Sequence, residues 1–208
     1  MSNPSKGICL IAGLGNIGLE YEGTRHNSGF RFADALAEKY RAFFSEEKKF
    51  FAFTAKAHIG SHDVWLMKPT TYMNRSGQAV LAMAQYFHIP PEQILVVHDE
   101  LDLPPSCMRL KLGGGNAGHN GLKDITQKLG TPNFWRLRLG TGHPRTLGLA
   151  QPVADFVLHR ASPEQQAGID RCIAAALESV EDLAEGRFDK AERSLSPFGH
   201  PPKASETA

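Results

Sequence analysis

The stretch GICLIAGLGNIGLEYEGTRHNSGF, Gly7 to Phe30, decides how the fold is read. Its first six residues, Gly7 to Ala12, are a short apolar run that ends in a glycine-rich turn at Gly13, the pattern of a buried strand. Beyond TRHN, Phe30, Ala33, Leu36, Ala37 and Tyr40 recur at helical spacing, so an amphipathic helix is expected over Gly29 to Tyr40. His26 then sits on the polar loop between strand and helix, where functional side chains collect on a rigid scaffold. Gly13, Gly15 and Gly18 also spell GxGxxG after a strand, the dinucleotide fingerprint. That motif needs a helix opening at its third glycine, and Leu19 to Gly23 carries no helical pattern. The preferred reading is a tight turn that presents Asn16. Asp34 and Glu38 lie near the acidic position the fingerprint uses, so a nucleotide cofactor stays open at this point.

Outward from this segment the pattern continues. Phe50 to Ala57 and Val64 to Met67, separated by GSHD, read as a β-hairpin. Ser76 to His88 reads as a helix stopped by Pro90 and Pro91, and Ile94 to Val97 as another buried strand with His98, Asp99 and Glu100 at its carboxyl end. Met108 to Leu112 is a candidate strand before the loop Gly113 to Gly121. A helix over Leu122 to Leu129 and an alternating strand over Phe134 to Leu139 follow. Phe156 to Leu158 is expected as a last short strand. Ser162, Pro163 and Gln165 form a cap, first-turn proline and capping-box partner for a helix running to Glu185. Strands interleaved with helices predict an α/β fold, and the hairpin makes its twisted sheet mixed. Residues 1–193 are expected to form a single catalytic domain, with 194–208 a flexible tail rich in Pro, Ser and small residues.

At 208 residues and 41% hydrophobic content the chain can fill one core. The formal charge of +1 hides an asymmetry. Residues 103–145 carry seven Lys or Arg against one acid, Asp124, an excess of +6, whereas 146–208 carry six against ten acids, or −4. The basic stretch is the candidate anion-facing side, although a charge run is equally often a solvated surface. Cys9, Cys107 and Cys172 are odd in number and lack metal spacing, which points to a reduced interior. No targeting segment opens the sequence and no run approaches the roughly 20 apolar residues of a membrane span, so a soluble, cytoplasmic protein is expected.

Four short motifs end on asparagine: GLGN at Asn16, TRHN at Asn27, TYMN at Asn74 and AGHN at Asn120. Carboxamides offer donors and an acceptor without net charge, and so can grip a neutral ester or amide. Asp99 stands where open α/β sheets build their sites. A carboxylate on one nitrogen of His26 fixes the tautomer and raises basicity, leaving the other nitrogen to deprotonate water. Ser28, Ser76 and Cys107 lack the setting of a nucleophile, so direct attack by water is the economical mechanism. His98, Asp99, Asp102 and His119 match no metal-ligand spacing, and no metal is expected. Glu100 and Asp102 read as ordinary loop acids or capping groups. Lys111, Lys123, Arg136 and Arg138 surround the glycine-rich loop and suit a phosphate-bearing partner.

Taken in order, GLGN, YxxTRHNxGF (Tyr21 to Phe30), KPTTYMNRSGQAV (Lys68 to Val80), HDELDLPP (His98 to Pro105), RLKLGGG (from Arg109) and GHNGLKDI (Gly118 to Ile125) resemble bacterial peptidyl-tRNA hydrolase, over about Ile8 to Leu158. The resemblance implies a monomeric α/β protein with a mixed sheet that cleaves the ester between peptide and the 3′ ribose of tRNA, without metal or cofactor. It implies His26 as general base, Asp99 as its orienting carboxylate, and Asn16 as the residue that distinguishes peptidyl from free aminoacyl esters. Tyr21, Tyr72, Asn74 and Asn120 match positions lining the groove for the tRNA 3′ end and peptide, with Met73 and His119 beside them. Lys111 and Arg138 match a clamp for the 5′ phosphate of the acceptor stem. Ile17 stands where the family commonly has proline and Ala117 where it often has glycine, so the turn and the loop differ in stiffness from the usual pattern. Residues 146–152 and the chain after Pro197 depart most. An RNA-binding module of the same fold without turnover is the alternative of another class.

Overall fold

In the computed structural model of the chain, which describes residues 6–203, seven strands form one sheet. They are β1 (Leu10–Gly13), β2 (Ser45–Glu47), β3 (Ala52–Ile59), β4 (His62–Pro69), β5 (Ile94–Glu100), β6 (Met108–Leu112) and β7 (Trp135–Gly140), in the order β2-β3-β4-β1-β5-β7-β6. β1 runs parallel to both β4 and β5, and β5 parallel to β7; β2–β3, β3–β4 and β6–β7 are antiparallel. The sheet is therefore mixed, as the sequence predicts, and its centre is parallel. The carboxyl ends of β1, β4, β5 and β7 open on one edge, and ligands of open α/β sheets bind at such an edge.

The helices are α1 (Ser28–Lys39), α2 (Ser76–Tyr86), α3 (Asn120–Leu129), α4 (Val153–Val157), α5 (Pro163–Leu177), α6 (Val180–Ala184) and α7 (Phe188–Leu195). Strand alternation divides β5: Leu95 and Val97 face a core with Phe32 and Leu36 of α1 and Ile169, Cys172 and Ile173 of α5. Ile94 and Val96 face the other core, with Val80 and Met83 of α2 and Leu122 and Ile125 of α3. Each large apolar side chain so buried contributes about 1.5–3 kcal/mol. One approach fixes the position of α1. A Cβ on Gly13 would lie 2.2 Å from the Gly29 carbonyl oxygen, and one on Gly29 would lie 2.3 Å from that of Val97. The absence of both side chains lets the start of α1, and the turn carrying His26 just before it, sit directly on β1 and β5.

Several elements differ from expectation. Phe156 and Val157 belong to helix α4 rather than to a strand, and the nearby β contact is a single bridge between Thr24 and Arg160. The expected long helix from Ser162 has its capping box but breaks after Leu177, because the chain turns at Glu178 and Ser179 to bring Val180 and Leu183 of α6 onto the core. Gly186 follows α6, and α7 then forms where no element is expected. Regular structure also reaches past Ser194: α7 ends at Leu195, and a 3-10 turn over Ser196–Gly199 packs Phe198 against the core. The first strand of the hairpin is displaced by two residues, since Phe51 takes a left-handed conformation at φ 51° and ends a 3-10 turn before β3 begins, and the second strand is two residues longer at each end. The short edge strand β2 is a further addition.

Candidate active site

His26 lies in a 3-10 turn, Arg25–Asn27, that leads straight into α1. Asp99 is the penultimate residue of β5, and His119 caps α3. Tertiary folding brings the three together. Nδ1 of His26 is 2.9 Å from Oδ2 of Asp99, and Nε2–H of His119 donates to Oδ1 of the same carboxylate at 2.9 Å. The tautomer of His119 follows from its other nitrogen: Nδ1 accepts the Gly121 and Leu122 backbone N–H groups at 3.1 and 3.3 Å, so the proton sits on Nε2. This cap starts α3 at Asn120, two residues before the periodicity suggests.

Asp99 thus accepts from two imidazoles while almost wholly buried. Burial by itself raises a carboxyl pKa, but the two adjacent histidines outweigh it and hold Asp99 well below the usual carboxylate range. For His26 burial disfavours the imidazolium, yet the Asp99 charge and hydrogen bond prevail and raise its pKa. With Nδ1 committed to Asp99, Nε2 of His26 is the nitrogen left without a partner among the described residues. It lines a cavity of about 140 Å³ that Asn120, Gly118 and, from α4, Val153 and Val157 complete. His26, Asp99 and His119 also have the composition of a metal-ligand set. Their facing nitrogens are already engaged with Asp99, so a cation would have to displace the protons that hold the cluster together.

Asn16 follows β1 and is 7% exposed. Its Oδ1 accepts the Met73 N–H at 2.8 Å. Met73 in turn lies beside His119, since its Sδ and Cε1 of His119 both crowd the position of a Cβ on Gly121. Asn74 and Asn120 are exposed, and among the described residues their side chains have no hydrogen-bond partner. Tyr72 is 65% exposed and Tyr21 half-buried. Ala117 holds a left-handed conformation at φ 47°, followed by Gly118 at 74°, so the loop makes its turn at a residue with a Cβ.

The basic residues separate into distinct roles. Lys111 is exposed, while Arg138 is tied to Glu100 by an ion pair of 2.7 Å. Glu100 is accordingly the buried last residue of β5 rather than a loop acid. Arg136, expected to face an anion, is buried; it donates to the Gly115 carbonyl at 2.7 Å and lies over the Phe134 ring, supporting the glycine-rich loop from beneath. A cavity of about 190 Å³ lined by Lys111, Arg138, Glu100 and His98 lies beside it. His98 is buried, its Nε2 without a partner among the described residues, and burial together with the neighbouring His119 brings its pKa down to about 3.

Sequence reasoning passes over Arg25. Its guanidinium stacks 3.8 Å over the Phe156 ring and donates to the Phe156 carbonyl at 3.0 Å and to Oε1 of Gln165 at 3.2 Å. It fastens α4, which walls the cavity, to the turn that carries His26.

Known proteins resemble this chain over most of its length. The family described as "Peptidyl-tRNA hydrolase" matches residues 10–203. Peptidyl-tRNA hydrolase of Bordetella petrii is 58% identical over 191 residues, covering 92% of this chain and 91% of that one. Its counterpart in Neisseria gonorrhoeae is 54% identical over 195 residues, covering 94% and 98%. A solved structure of peptidyl-tRNA hydrolase from Acinetobacter baumannii superposes with a TM-score of 0.87 at 45% identity, covering 92% of this chain and 95% of that one.

Proposed function

The chain belongs to the peptidyl-tRNA hydrolase family, and on that premise we propose that it cleaves the ester between peptide and 3′ ribose by metal-independent attack of water. His26 is the general base, and Asp99 orients it. The observation that carries this reading is the 2.9 Å contact of His26 Nδ1 with a buried carboxylate, which leaves Nε2 free at a cavity. As water attacks, Nε2 takes its proton and Asp99 stabilises the imidazolium that forms. His119, bonded to the second oxygen, keeps Asp99 in register. The unpartnered carboxamides of Asn74 and Asn120 suit the ester and the peptide backbone, while Tyr72 and Tyr21 offer rings to the 3′ end. A base stacked on an aromatic ring is held by about 1–3 kcal/mol. Lys111 and Arg138 are the candidate contacts to the 5′ phosphate of the acceptor stem. The protein is taken to act as a monomer in the cytoplasm; among the described residues no helix is long and apolar enough to cross a membrane.

The test is hydrolysis of an N-acetylaminoacyl-tRNA in the presence of a chelator. Wild type retains its rate, whereas His26→Ala loses about 10²–10⁴ in kcat with a modest change in KM, since the base acts mainly in the transition state. Loss of wild-type activity on chelation, or full activity of His26→Ala, refutes the mechanism.

A further inference from the structure

Asn27 is absorbed by none of the roles above, yet it is buried and makes a paired contact. Its Oδ1 accepts the Asn16 backbone N–H at 2.9 Å, and its Nδ2 donates to the Asn16 carbonyl at 2.9 Å. One carboxamide therefore holds both backbone groups of Asn16, as a neighbouring strand would. Because a backbone N–H needs an acceptor and the NH₂ of a carboxamide can only donate, the orientation of the Asn27 amide is settled by this pairing. The same argument applies to Asn16, whose Oδ1 receives the Met73 N–H. Its Nδ2 has no partner among the described residues and is not a buried orphan. The Nδ2 donor of Asn16 is thus the group left unengaged for a ligand. A donor accepts the company of an acyl carbonyl and gains nothing from a free α-ammonium, which carries donors alone.

We infer that Asn27 is a positioning residue for substrate selection: it holds Asn16 in register with the catalytic turn, so that the Asn16 amide meets the acyl carbonyl of an N-blocked aminoacyl ester. The inference rests on the reading of Asn16 as the residue that tells blocked from free esters. Its physical basis is covalent as well as geometric. Asn27 immediately follows His26 in one 3-10 turn, so the selector and the base are attached to the same three residues. A shift of that turn moves both together, which keeps their separation constant.

The experiment compares kcat/KM for N-acetylaminoacyl-tRNA and for the corresponding aminoacyl-tRNA in wild type, Asn16→Ala, Asn27→Asp and Asn27→Gln. Asn27→Asp keeps the acceptor for the Asn16 N–H but sets a carboxylate against the Asn16 carbonyl; Asn27→Gln keeps both groups one methylene out of place. In both, the ratio of the two kcat/KM values falls by about tenfold or more, as an error on the order of 1 Å in a binding group predicts. In Asn27→Gln the acidic limb of the pH–rate profile stays where it is, because neither atom of the His26–Asp99 contact is altered and no charge is added; in Asn27→Asp the new carboxylate beside His26 moves it up. Folded variants with the wild-type ratio overturn the inference. If Asn16→Ala loses the ratio and the Asn27 variants keep it, only the role of Asn27 fails; if Asn16→Ala also keeps it, the reading of Asn16 fails with it. Should both Asn27 variants unfold, exchange of the Asn27 side-chain amide protons in wild type decides. Protection well beyond that of the exposed Asn74 amide upholds the clamp, and equal exchange overturns it.

Discussion

Whether His26 can accept a proton near neutrality is set by two opposed effects. Burial favours the uncharged ring, and the Asp99 carboxylate favours the charged one more strongly. The base form therefore dominates only above a pKa raised from the ordinary value of about 6.5. The acidic limb of kcat/KM is expected at a midpoint above that value, and Asp99→Asn is expected to move the midpoint down while lowering kcat. A measured limb below 6 in wild type would contradict the balance. His98 behaves in the opposite sense. Its folded pKa, about 3, lies below that of the unfolded chain, so between about pH 6.5 and 3 the unfolded state binds a proton that the folded state does not. Stability is full above that window and is lost as pH falls through it, by ~1.4 kcal/mol per pH unit. Denaturant unfolding of His98→Asn is thus expected to lose about 2 kcal/mol less than wild type between about pH 7 and pH 5.

At the level of elements, α4 has only five residues, too few to be stable alone in water. What holds it over the cavity is the Arg25 guanidinium, bonded to the Phe156 carbonyl and stacked on the Phe156 ring. Hydrogen bonds from a charged group contribute more than neutral ones, so Arg25→Met is expected to destabilise the fold by roughly 2–3 kcal/mol. It is also expected to speed hydrogen exchange in Val153–Val157 more than in β5. Equal acceleration in both would mean that Arg25 supports the whole core rather than this helix. The capping histidine of α3 shows the same economy, since one side chain starts the helix and restrains Asp99.

Over the whole molecule, the basic residues of 103–145 differ in what they offer a partner: Lys111 is exposed, Arg138 is already paired and Arg136 is turned inward. These differences predict unequal effects on tRNA binding. Lys111→Ala is expected to weaken binding across tRNA species and to flatten the salt dependence by roughly one, as loss of a single phosphate contact does. Arg138→Ala is expected to change the salt slope less and the stability more, because it leaves the buried Glu100 without its ion pair. Filter binding over a salt series, with unfolding measured in parallel, checks both; equal slopes for the two variants would show that the ion pair does not survive in the complex.

Several features were legible in the order of residues alone. Local periodicity identified the strands of the parallel centre, α1 and α2, and the motifs around Asn16, His26, Asn74, Asp99 and Asn120 pointed to one hydrolytic family, because strand and helix patterns and short motifs are properties of neighbouring residues. Tertiary structure alone decided which groups those motifs meet. Nothing near Arg25 in the chain announces Phe156, 131 residues away, nor does the environment of Arg136 or Glu100 reveal that one is buried beneath a loop and the other paired across two strands. The same holds for the two imidazoles that converge on Asp99 from positions 73 residues before it and 20 after it. Hydrogen bonds and burial depend on distance in space, and that distance is set by the packing of the sheet and its helices rather than by separation along the chain.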